Sequence, residues 1–317
     1  MEENIMQLAI CTDVFADLSY TEMLDKVKSL GIDAVEMTAG GWGARKHCNT
    51  AELLANPDKL AQFKAELDNR GMRISALNTS CNPLWPSQTG KDYEKSMYDC
   101  AVLAGKLGVK KIVAMAGLPA GNETDTTPNW ITSTVSWPDF MKPAYEYQWK
   151  VTIEFWQKFA KHCKKCGVEQ IAIEEFPGTM VWSAETMLKL RGATDPMIGI
   201  NLDPSHMIAL GADPIVAARS LKGCIFHVHG KDVRIERGLA DVNGILEPKE
   251  VTVPAQRVWN YVAVGCGKDL QWWKEFFSVL SMMGYQGDVS LEMEDLTMSV
   301  EAGVKTSIEA LNQTISK

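Results

Sequence analysis

Apolar runs alternate with amphipathic stretches along the whole chain. The runs at 171–175 and 198–203 are apolar on both faces, which is typical of buried parallel strands. The stretch at 50–70 has apolar residues at helical spacing and stops at a glycine. Eight strand-then-helix units follow one another. We therefore predict an α/β fold, a (β/α)8 TIM-type barrel, as one domain over residues 1–317.

The same patterning gives the bounds of the individual elements. We predict strands at 8–14, 34–38, 74–78, 111–116, 171–175, 198–203, 224–229 and 288–294. We predict helices at 20–30, 50–70, 92–107, 145–166, 184–190, 213–219, 270–283 and 300–315. Two long loops remain, 117–143 after the fourth strand and 230–267 after the seventh. Loops of this length are usually functional, so we expect 117–143 to cover the barrel mouth or to meet another chain.

Composition and charge narrow the classes of partner. The chain is 46% hydrophobic and 23% charged, which are ordinary globular values. Its net charge of -8 argues against nucleic acid or an anionic membrane as the main partner. The sequence contains no apolar run long enough to span a bilayer. We therefore expect a small-molecule partner, no nucleic acid and no membrane.

Cysteine usage and the first residues bear on the compartment. The eight cysteines are scattered, and the first six residues are acidic without a signal-peptide pattern. We therefore expect a cytoplasmic protein with free thiols.

Four predicted strands end in a residue that can bind a metal ion. They are Glu174, Asp203, His229 and Glu292, on strands five to eight. Active sites of such barrels lie at the carboxyl ends of the strands, so we expect the four side chains to converge. Three converging carboxylates repel one another unless a cation lies among them. The sequence thus predicts a divalent metal site, with Mn²⁺ favoured and Mg²⁺, Fe²⁺ or Zn²⁺ as alternatives.

Residues beside these four are further candidates. His227 shares a strand face with His229 and competes with it as the ligand, and we prefer His229 because it lies nearer the rim. Lys231 and Asp232 are candidates for binding sugar hydroxyls. We expect Glu175 and Glu294 to face away from the barrel interior. The glycine-rich turn at 264–268 precedes a helix and offers backbone N–H groups to a phosphate.

Several motifs resemble one superfamily along nearly the whole chain. They are Ile-Ala-Ile-Glu, Asn-Leu-Asp-Pro-Ser-His, His-Val-His-Gly-Lys-Asp and Val-Ser-Leu-Glu-Met-Glu-Asp. Together they resemble the xylose-isomerase-like sugar phosphate isomerases and epimerases. The resemblance implies that Glu174, Asp203, His229 and Glu292 hold the metal. It also implies that His206 acts on the substrate or a metal-bound water and that Glu174 and Glu292 double as bases.

A finer resemblance is to the large subunit of bacterial C-glycoside deglycosidases. It lies in Gly-Gly-Trp-Gly from Gly40, Asn-Pro-Leu-Trp-Pro from Asn82 and Pro-Asn-Trp from Pro128. It implies cleavage of the sugar–aryl C–C bond of a 3-oxo C-glycoside through a metal-stabilised enolate, with a small β-rich partner subunit. We also expect an oligomer. The substrate-binding candidates are His227, Lys231, Asp232, Trp42, Trp85, Trp130 and Arg234.

Three other functions are compatible with parts of the sequence. A sugar isomerase or epimerase would use the same metal site but return the proton to another carbon. An endonuclease-IV-like phosphodiesterase needs more histidines than the five present and a basic face. A non-catalytic sugar-binding subunit is the third alternative. We favour the metal-dependent lyase, whose chemistry is proton removal next to a sugar ketone.

Overall fold

The computed structural model describes residues 6–315, and these contain a closed barrel of eight parallel strands. The acidic residues 1–5, on which part of the compartment prediction rests, lie outside this range. The barrel strands are β1 Gln7–Cys11, β2 Ala34–Thr38, β3 Arg73–Asn78, β4 Lys111–Met115, β5 Gln170–Glu174, β6 Ile198–Leu202, β7 Ile225–Gly230 and β10 Asp288–Leu291. Each of these eight strands pairs with the next barrel strand, so β7 pairs with β10, and β10 closes the barrel against β1. The predicted TIM-type barrel is confirmed.

Helices connect the strands and cover the outside of the barrel. They are α1 Tyr20–Ser29, α2 Thr50–Ala55, α3 Pro57–Asp68, α4 Gln88–Leu107, α5 Pro138–Cys166, α6 Ala184–Ala193, α7 Pro204–Ala209, α8 Pro214–Ser220, α9 Arg237–Asn243, α10 Leu270–Met282 and α11 Val300–Thr314. Side-chain caps fix many helix starts, for example Ser87 at α4 and Asp269 at α10. None of the helices within 6–315 combines the length and the apolar character that a bilayer span requires.

The predicted helix at 50–70 is two helices. Asn56 ends α2 and caps α3, because its side chain accepts hydrogen bonds from the backbone N–H groups of Asp58 and Lys59 at 3.0 and 3.1 Å. Pro57 lacks the N–H that a continuous helix needs, but it suits the first position of α3. The proline therefore converts one helix into two.

The long loop after β4 is shorter than the predicted 117–143. Helix α5 begins at Pro138 and includes Pro143. Pro143 lies early in the helix, where the missing N–H removes one backbone hydrogen bond and the later turns proceed normally. Before the helix, the loop packs against the segments that follow β3 and β5. Asn82 donates to the carbonyl of Leu118 at 2.9 Å, and Met180 N–H donates to the carbonyl of Gly117 at 2.9 Å.

The segment predicted as a loop at 230–267 has its own secondary structure. Strands β8 (Asp232–Ile235) and β9 (Trp259–Val262) form an antiparallel pair, with Asp232 opposite Val262. Helix α9 lies between them in the chain. This segment, which we call the excursion (230–267), leaves the barrel after β7 and returns to the carboxyl end of that strand. The return places β9 beside the barrel mouth.

The barrel interior changes character along its axis. Small apolar side chains from three strands, Ala76, Val113 and Ala172, form a compact interior cluster. Beyond them, toward the carboxyl ends of the strands, the interior is polar and charged. The larger apolar core lies between the strands and the helices and includes Trp156, Trp273, Phe159 and Phe276. The polar section of the interior holds the residues described next.

Candidate active site

Glu174, Asp203, His229 and Glu292 converge at the carboxyl end of the barrel. Glu174 is the last residue of β5, His229 lies near the end of β7, and Asp203 and Glu292 directly follow β6 and β10. One potential ligand atom from each of the four lies within 4.8 Å of those of the others. Glu174, Asp203 and His229 are buried, while the Glu292 side chain is 25% exposed.

The electrostatics of this cluster require positive charge. Nδ1 of His229 lies 3.2 Å from Glu292 Oε2, 3.6 Å from Asp203 Oδ2 and 3.7 Å from Glu174 Oε1. Burial alone would lower the pKa of His229, but nearby negative charges, first that of Glu36 on β2 and then those of Glu292 and Glu174, outweigh it and raise the pKa well above its usual value. Burial alone would raise the pKa of Glu174, but His229 and His206 outweigh burial and lower the pKa of Glu174 to about 2.

The donor atoms fit a divalent cation. Asp203 Oδ2 and His229 Nδ1 are buried and have no hydrogen-bond partner, although buried polar atoms are nearly always paired. A cation held by three carboxylates and one imidazole would satisfy both atoms and remove the repulsion. Oxygen-rich sets with one imidazole suit Mn²⁺, Mg²⁺, Fe²⁺ or Zn²⁺.

His206 lies behind the ligand set and does not line the cavity. Its Nε2 is 3.0 Å from Glu174 Oε1 and 3.3 Å from Asp203 Oδ2, and its Nδ1 is 2.9 Å from the hydroxyl of Tyr261. Phe176 packs edge-on against its ring, with centroids 4.5 Å apart. The imidazole is fully buried. Its contacts suit orientation of Glu174 and Asp203 better than direct contact with substrate.

A central cavity of about 160 Å³ opens above the ligands. Its wall includes Glu174, Glu292, Trp42, Lys231 and Glu294. The buried ammonium of Lys231 lies 3.0 Å from Glu292 Oε2 and 2.5 Å from Glu294 Oε2. The prediction that Glu294 faces away is wrong, since residues 292 and 294 share one side under period-two alternation. Lys231 and Glu294 therefore both line the central cavity.

Glu175 lies beside the site without facing the cavity. It is fully buried, and its Oε1 accepts the backbone N–H of Asp203 at 3.0 Å. Burial, together with the charges of Asp203 and Glu174, raises the pKa of Glu175 well above its usual value. This contact holds the backbone of Asp203 in place.

The other substrate-binding candidates are dispersed. Trp42 is at the central cavity, but the indole of Trp85 donates to the carbonyl of Thr126 at 3.1 Å, outside it. Arg234 pairs with Glu236 at the edge of a different cavity. Trp130 lines a separate groove of about 540 Å³ within the loop after β4. This groove is larger than the central cavity but shares no residue with it.

Asp232 is bonded within the turn and does not line the central cavity. Its two oxygens accept hydrogen bonds from the backbone N–H groups of Val233, Gly265, Gly267 and Lys268, and from the indole of Trp273. The amides of Gly265, Gly267 and Lys268 belong to the turn at 264–268 that was predicted to bind a phosphate. The carboxylate therefore occupies this anion-binding turn, and Asp232 is not retained as a sugar contact.

The structure adds four residues that the sequence did not indicate as part of the site. Glu36 is buried in the middle of β2 and contacts His227 and His229. Asn78 on β3 donates to Glu36 at 2.8 Å. Asp13 and Tyr261 line the central cavity. A carboxylate inside the apolar run 34–38 was a usable signal for Glu36, whereas Tyr261 comes from β9 and has no local signal.

The sequence of this chain is similar to one protein family and to several individual proteins. Residues 24–314 match the family described as xylose isomerase-like TIM barrel. YfiH of Bacillus subtilis (strain 168), whose name assigns no activity, is 56% identical over 98% of this chain and 100% of its own length. An inosose dehydratase of Clostridium tetani is 30% identical over 48% of this chain and 51% of its own.

Solved structures agree with the barrel at low sequence identity. The probable 3-DHS dehydratase AsbF of Bacillus anthracis superposes with a TM-score of 0.69 at 18% identity, over 97% of this chain and 99% of its own. The IOLI protein, solved with a zinc atom, superposes with a TM-score of 0.67 at 18% identity, over 98% of both chains. These two similarities concern the fold, while the family match covers most of the sequence. The chain belongs to the xylose isomerase-like TIM barrel family.

Proposed function

We propose that this protein is a divalent-metal-dependent lyase that acts on a cyclic keto-sugar. It removes a proton next to the ketone and expels the substituent on the neighbouring carbon. The observation that carries the proposal is the convergence of Glu174, Asp203, His229 and Glu292 beside a cavity that also contains the ammonium of Lys231. The favoured substrate is a 3-oxo C-glycoside.

The names of the relatives support an elimination. The relative from Clostridium tetani is an inosose dehydratase and AsbF is a probable 3-DHS dehydratase, so each is named for removing water. Loss of water and loss of an aryl group from a keto-sugar share their first step. In both, a proton is removed from the carbon that lies between the ketone and the carbon bearing the leaving group. The same arrangement of side chains can therefore serve either leaving group.

Two carboxylates on the cavity wall are candidates for the proton acceptor. Glu292 is the more open, with its side chain 25% exposed, while that of Glu174 is 4% exposed. We assign the base to Glu292, with Glu174 as the alternative. The ammonium of Lys231, 3.0 Å from Glu292 Oε2, can donate a hydrogen bond to a substrate oxygen on the same side. Because His206 is enclosed, we assign it to positioning Glu174 and not to proton transfer.

The bond changes for a 3-oxo C-glycoside balance without an oxidant. The C2–H bond breaks and its proton moves to the base. Its electron pair forms the C1=C2 double bond as the bond from C1 to the aryl carbon breaks, and the aryl carbon takes up a proton. A bound divalent ion, held by Glu174, Asp203, His229 and Glu292, would supply Lewis-acid polarisation of the ketone.

Deuterium exchange with product analysis tests the proposal. Metal-free protein is reloaded separately with Mn²⁺, Mg²⁺, Fe²⁺ and Zn²⁺ and incubated in D₂O with 3-oxo C-glycosides, 3-oxo O-glycosides and inosose. We expect aglycone release from the C-glycoside, with deuterium at C2 in recovered substrate if proton removal is reversible. Epimer or isomer with deuterium but no elimination would establish the isomerase alternative instead. Neither exchange nor product with any substrate and metal would overturn the proposal.

The same assay is applied to variants of the cavity residues and repeated in the presence of a partner subunit. Glu292→Gln should abolish exchange, and Lys231→Met should slow elimination. Lys189→Met is the control, because Lys189 on α6 lies 4.1 Å from the ring centroid of Trp149 on α5 and does not line the central cavity. The assay is run with and without a small β-rich partner subunit, which the resemblance implies. Activity that appears only with the partner would show that this chain supplies the site while the partner completes it.

A further inference from the structure

Glu36 is a buried carboxylate inside the barrel that the proposed reaction leaves without a role. It lies in the apolar strand Ala34–Thr38 and is 1% exposed. A buried carboxylate is costly unless several hydrogen bonds compensate for its lost hydration. Glu36 therefore requires donors, and these donors connect it to the metal site.

Three side chains supply those donors. Asn78 donates to Oε1 at 2.8 Å, and Nε2 of His227 lies 2.7 Å from Oε2. Nε2 of His229 lies 3.3 Å from both oxygens. One carboxylate thus joins the two histidines of β7. The opposite nitrogen of His229, Nδ1, faces the carboxylates of Asp203, Glu174 and Glu292.

This arrangement determines which nitrogen of His229 carries its proton. A carboxylate has only acceptor atoms, so its contact with Nε2 is favourable only if Nε2 bears hydrogen. When a divalent ion lies among the carboxylates, the ring would be neutral and Nδ1 would present its lone pair to that ion. A histidine ligand whose second nitrogen donates to a carboxylate is a recurrent arrangement at metal sites.

Asn201 offers the rival interpretation. Its Nδ2 lies 3.1 Å from His229 Nε2, and in this amide orientation it would donate to Nε2, which would place the ring proton on Nδ1. However, Asn201 Oδ1 is buried and has no partner. Rotating the amide by half a turn exchanges its oxygen and nitrogen, which are hard to distinguish by shape. Oδ1 then faces the Nε2–H group, so both Asn201 and Glu36 accept from it.

A second cation at Cys11, Glu36 and His229 is also excluded by this proton. Cys11 Sγ lies 4.0 Å from His229 Nε2, and these three residues form a potential metal-binding group. A cation there would need the lone pair of Nε2, which the proton occupies. The two arrangements are therefore mutually exclusive.

We propose that Glu36 is a positioning residue that holds His229 with Nε2–H toward its carboxylate and Nδ1 free for the divalent ion. The inference rests on the proposed function only in taking His229 as a metal ligand. His227 and Asn78 assist by fixing the carboxylate from its other sides.

Glu36→Gln tests this role without changing the size of the side chain. The amide NH₂ of the glutamine would face one of the three donors in place of an acceptor oxygen, so the side chain should no longer hold His229 in its orientation. We expect Mn²⁺ and Zn²⁺ affinity, measured by competition with a chelator, to fall about 10–100-fold. In the Zn²⁺-loaded wild type, ¹⁵N NMR of labelled histidine should show His229 protonated at Nε2, and this signal should be lost or shifted in the variant. Glu247→Gln is the control, because the Glu247 side chain is only 4% exposed but pairs with Arg257 and Lys249 away from the histidines.

Each outcome bears on the inference. Wild-type affinity in Glu36→Gln, or a His229 protonated at Nδ1 in the metal-loaded wild type, would overturn it. If Glu36→Gln does not fold, Asn78→Ala takes its place. This variant removes one donor to Glu36. A several-fold loss of metal affinity would support the positioning role, and unchanged affinity would overturn it. Wild-type protein that binds metal in the predicted tautomer but converts no keto-sugar would contradict the proposed function alone, whereas failure to bind any divalent ion would overturn both.

Discussion

The hydroxyl of Tyr261 lies 2.9 Å from Nδ1 of His206, although the two residues belong to different parts of the fold. His206 lies in the short helix α7 that follows β6, whereas Tyr261 lies on β9 of the excursion that follows β7. Because Nε2 of His206 faces the carboxylates of Glu174 and Asp203, that nitrogen carries the proton and Nδ1 accepts from the tyrosine. The β8–β9 pair thereby fixes the orientation of a histidine behind the candidate metal ligands.

Replacement of Tyr261 by phenylalanine should loosen this histidine. The change leaves a buried acceptor on His206 unpaired, which costs about 1–3 kcal/mol of unfolding free energy. We expect turnover to fall while metal content is retained, measured by denaturant unfolding, elemental analysis and kinetics. Tyr20→Phe is the control, since Tyr20 donates to the carbonyl of Phe63 away from the site. Equal loss of turnover in both variants would refute a specific role for Tyr261.

Alanine variants of the three histidines near the site should differ in metal content. His229→Ala removes a ligand, so we expect metal and activity to be lost together. His206→Ala should retain most of the metal but lower turnover, because it contacts Glu174 and Asp203 from behind. His227→Ala should mainly lower stability, with some loss of affinity through Glu36. Elemental analysis measures the metal content of the three variants, with His162→Ala as the control. Loss of metal in His227→Ala but not in His229→Ala would make His227 the ligand instead of His229.

Asp232→Asn should destabilise the excursion without affecting the metal. The amide would turn an NH₂ donor toward backbone N–H groups that now meet a carboxylate. We expect a loss of about 1–3 kcal/mol in unfolding free energy, faster proteolysis at 230–267 and unchanged metal content. Asp241→Asn serves as control, because Asp241 pairs with Arg237 on the exposed surface of α9. A stable, protease-resistant Asp232→Asn would show that the amide cluster does not depend on the charge.

His47 should contribute to the pH dependence of stability. Burial lowers its pKa below the usual value, although the carbonyl of Leu18, 3.1 Å from Nε2, partly opposes this. Both folded and unfolded states hold it neutral well above pH of about 6.5. As the pH falls below that value the unfolded chain takes up the proton first, so stability declines until the folded-state pKa is passed. Urea unfolding at several pH values should show a shallower acid-side decline in His47→Gln than in the wild type; parallel curves would contradict this.

The sequence predicts the barrel and the convergence of the four candidate ligands because both depend on local patterns. An apolar run followed at once by Glu174 or Asp203 is visible without long-range information, and parallel strands place their carboxyl ends on one rim. The carboxylate of Glu36 within an apolar strand was a visible signal, but its role follows only once the histidines across the barrel are known. Tyr261 was missed for a similar reason, since its position depends on how β9 returns to the rim.

Two errors have specific physical causes. The helix predicted at 50–70 ignored Asn56 and Pro57, a cap and a first-turn residue that together start a new helix. The orientation of Glu294 was predicted without regard to the even spacing from Glu292. By contrast, His206 was placed near the ligands by the spacing from Asp203, but its burial depends on Phe176 and Tyr261, which only the tertiary structure brings to it.

Under the proposed function, the turn around Asp232 also limits the kind of sugar that this barrel can select. Its backbone amides already bind an anion that belongs to the chain itself, so a phosphorylated ligand that approached them would meet a fixed negative charge. Discrimination between a free sugar and its phosphate would then follow from occupation of the turn and would need no steric barrier. A free keto-sugar should show a lower KM than its phosphate ester, and Asp232→Asn should narrow that difference; a lower KM for the ester would show that phosphate is recognised elsewhere.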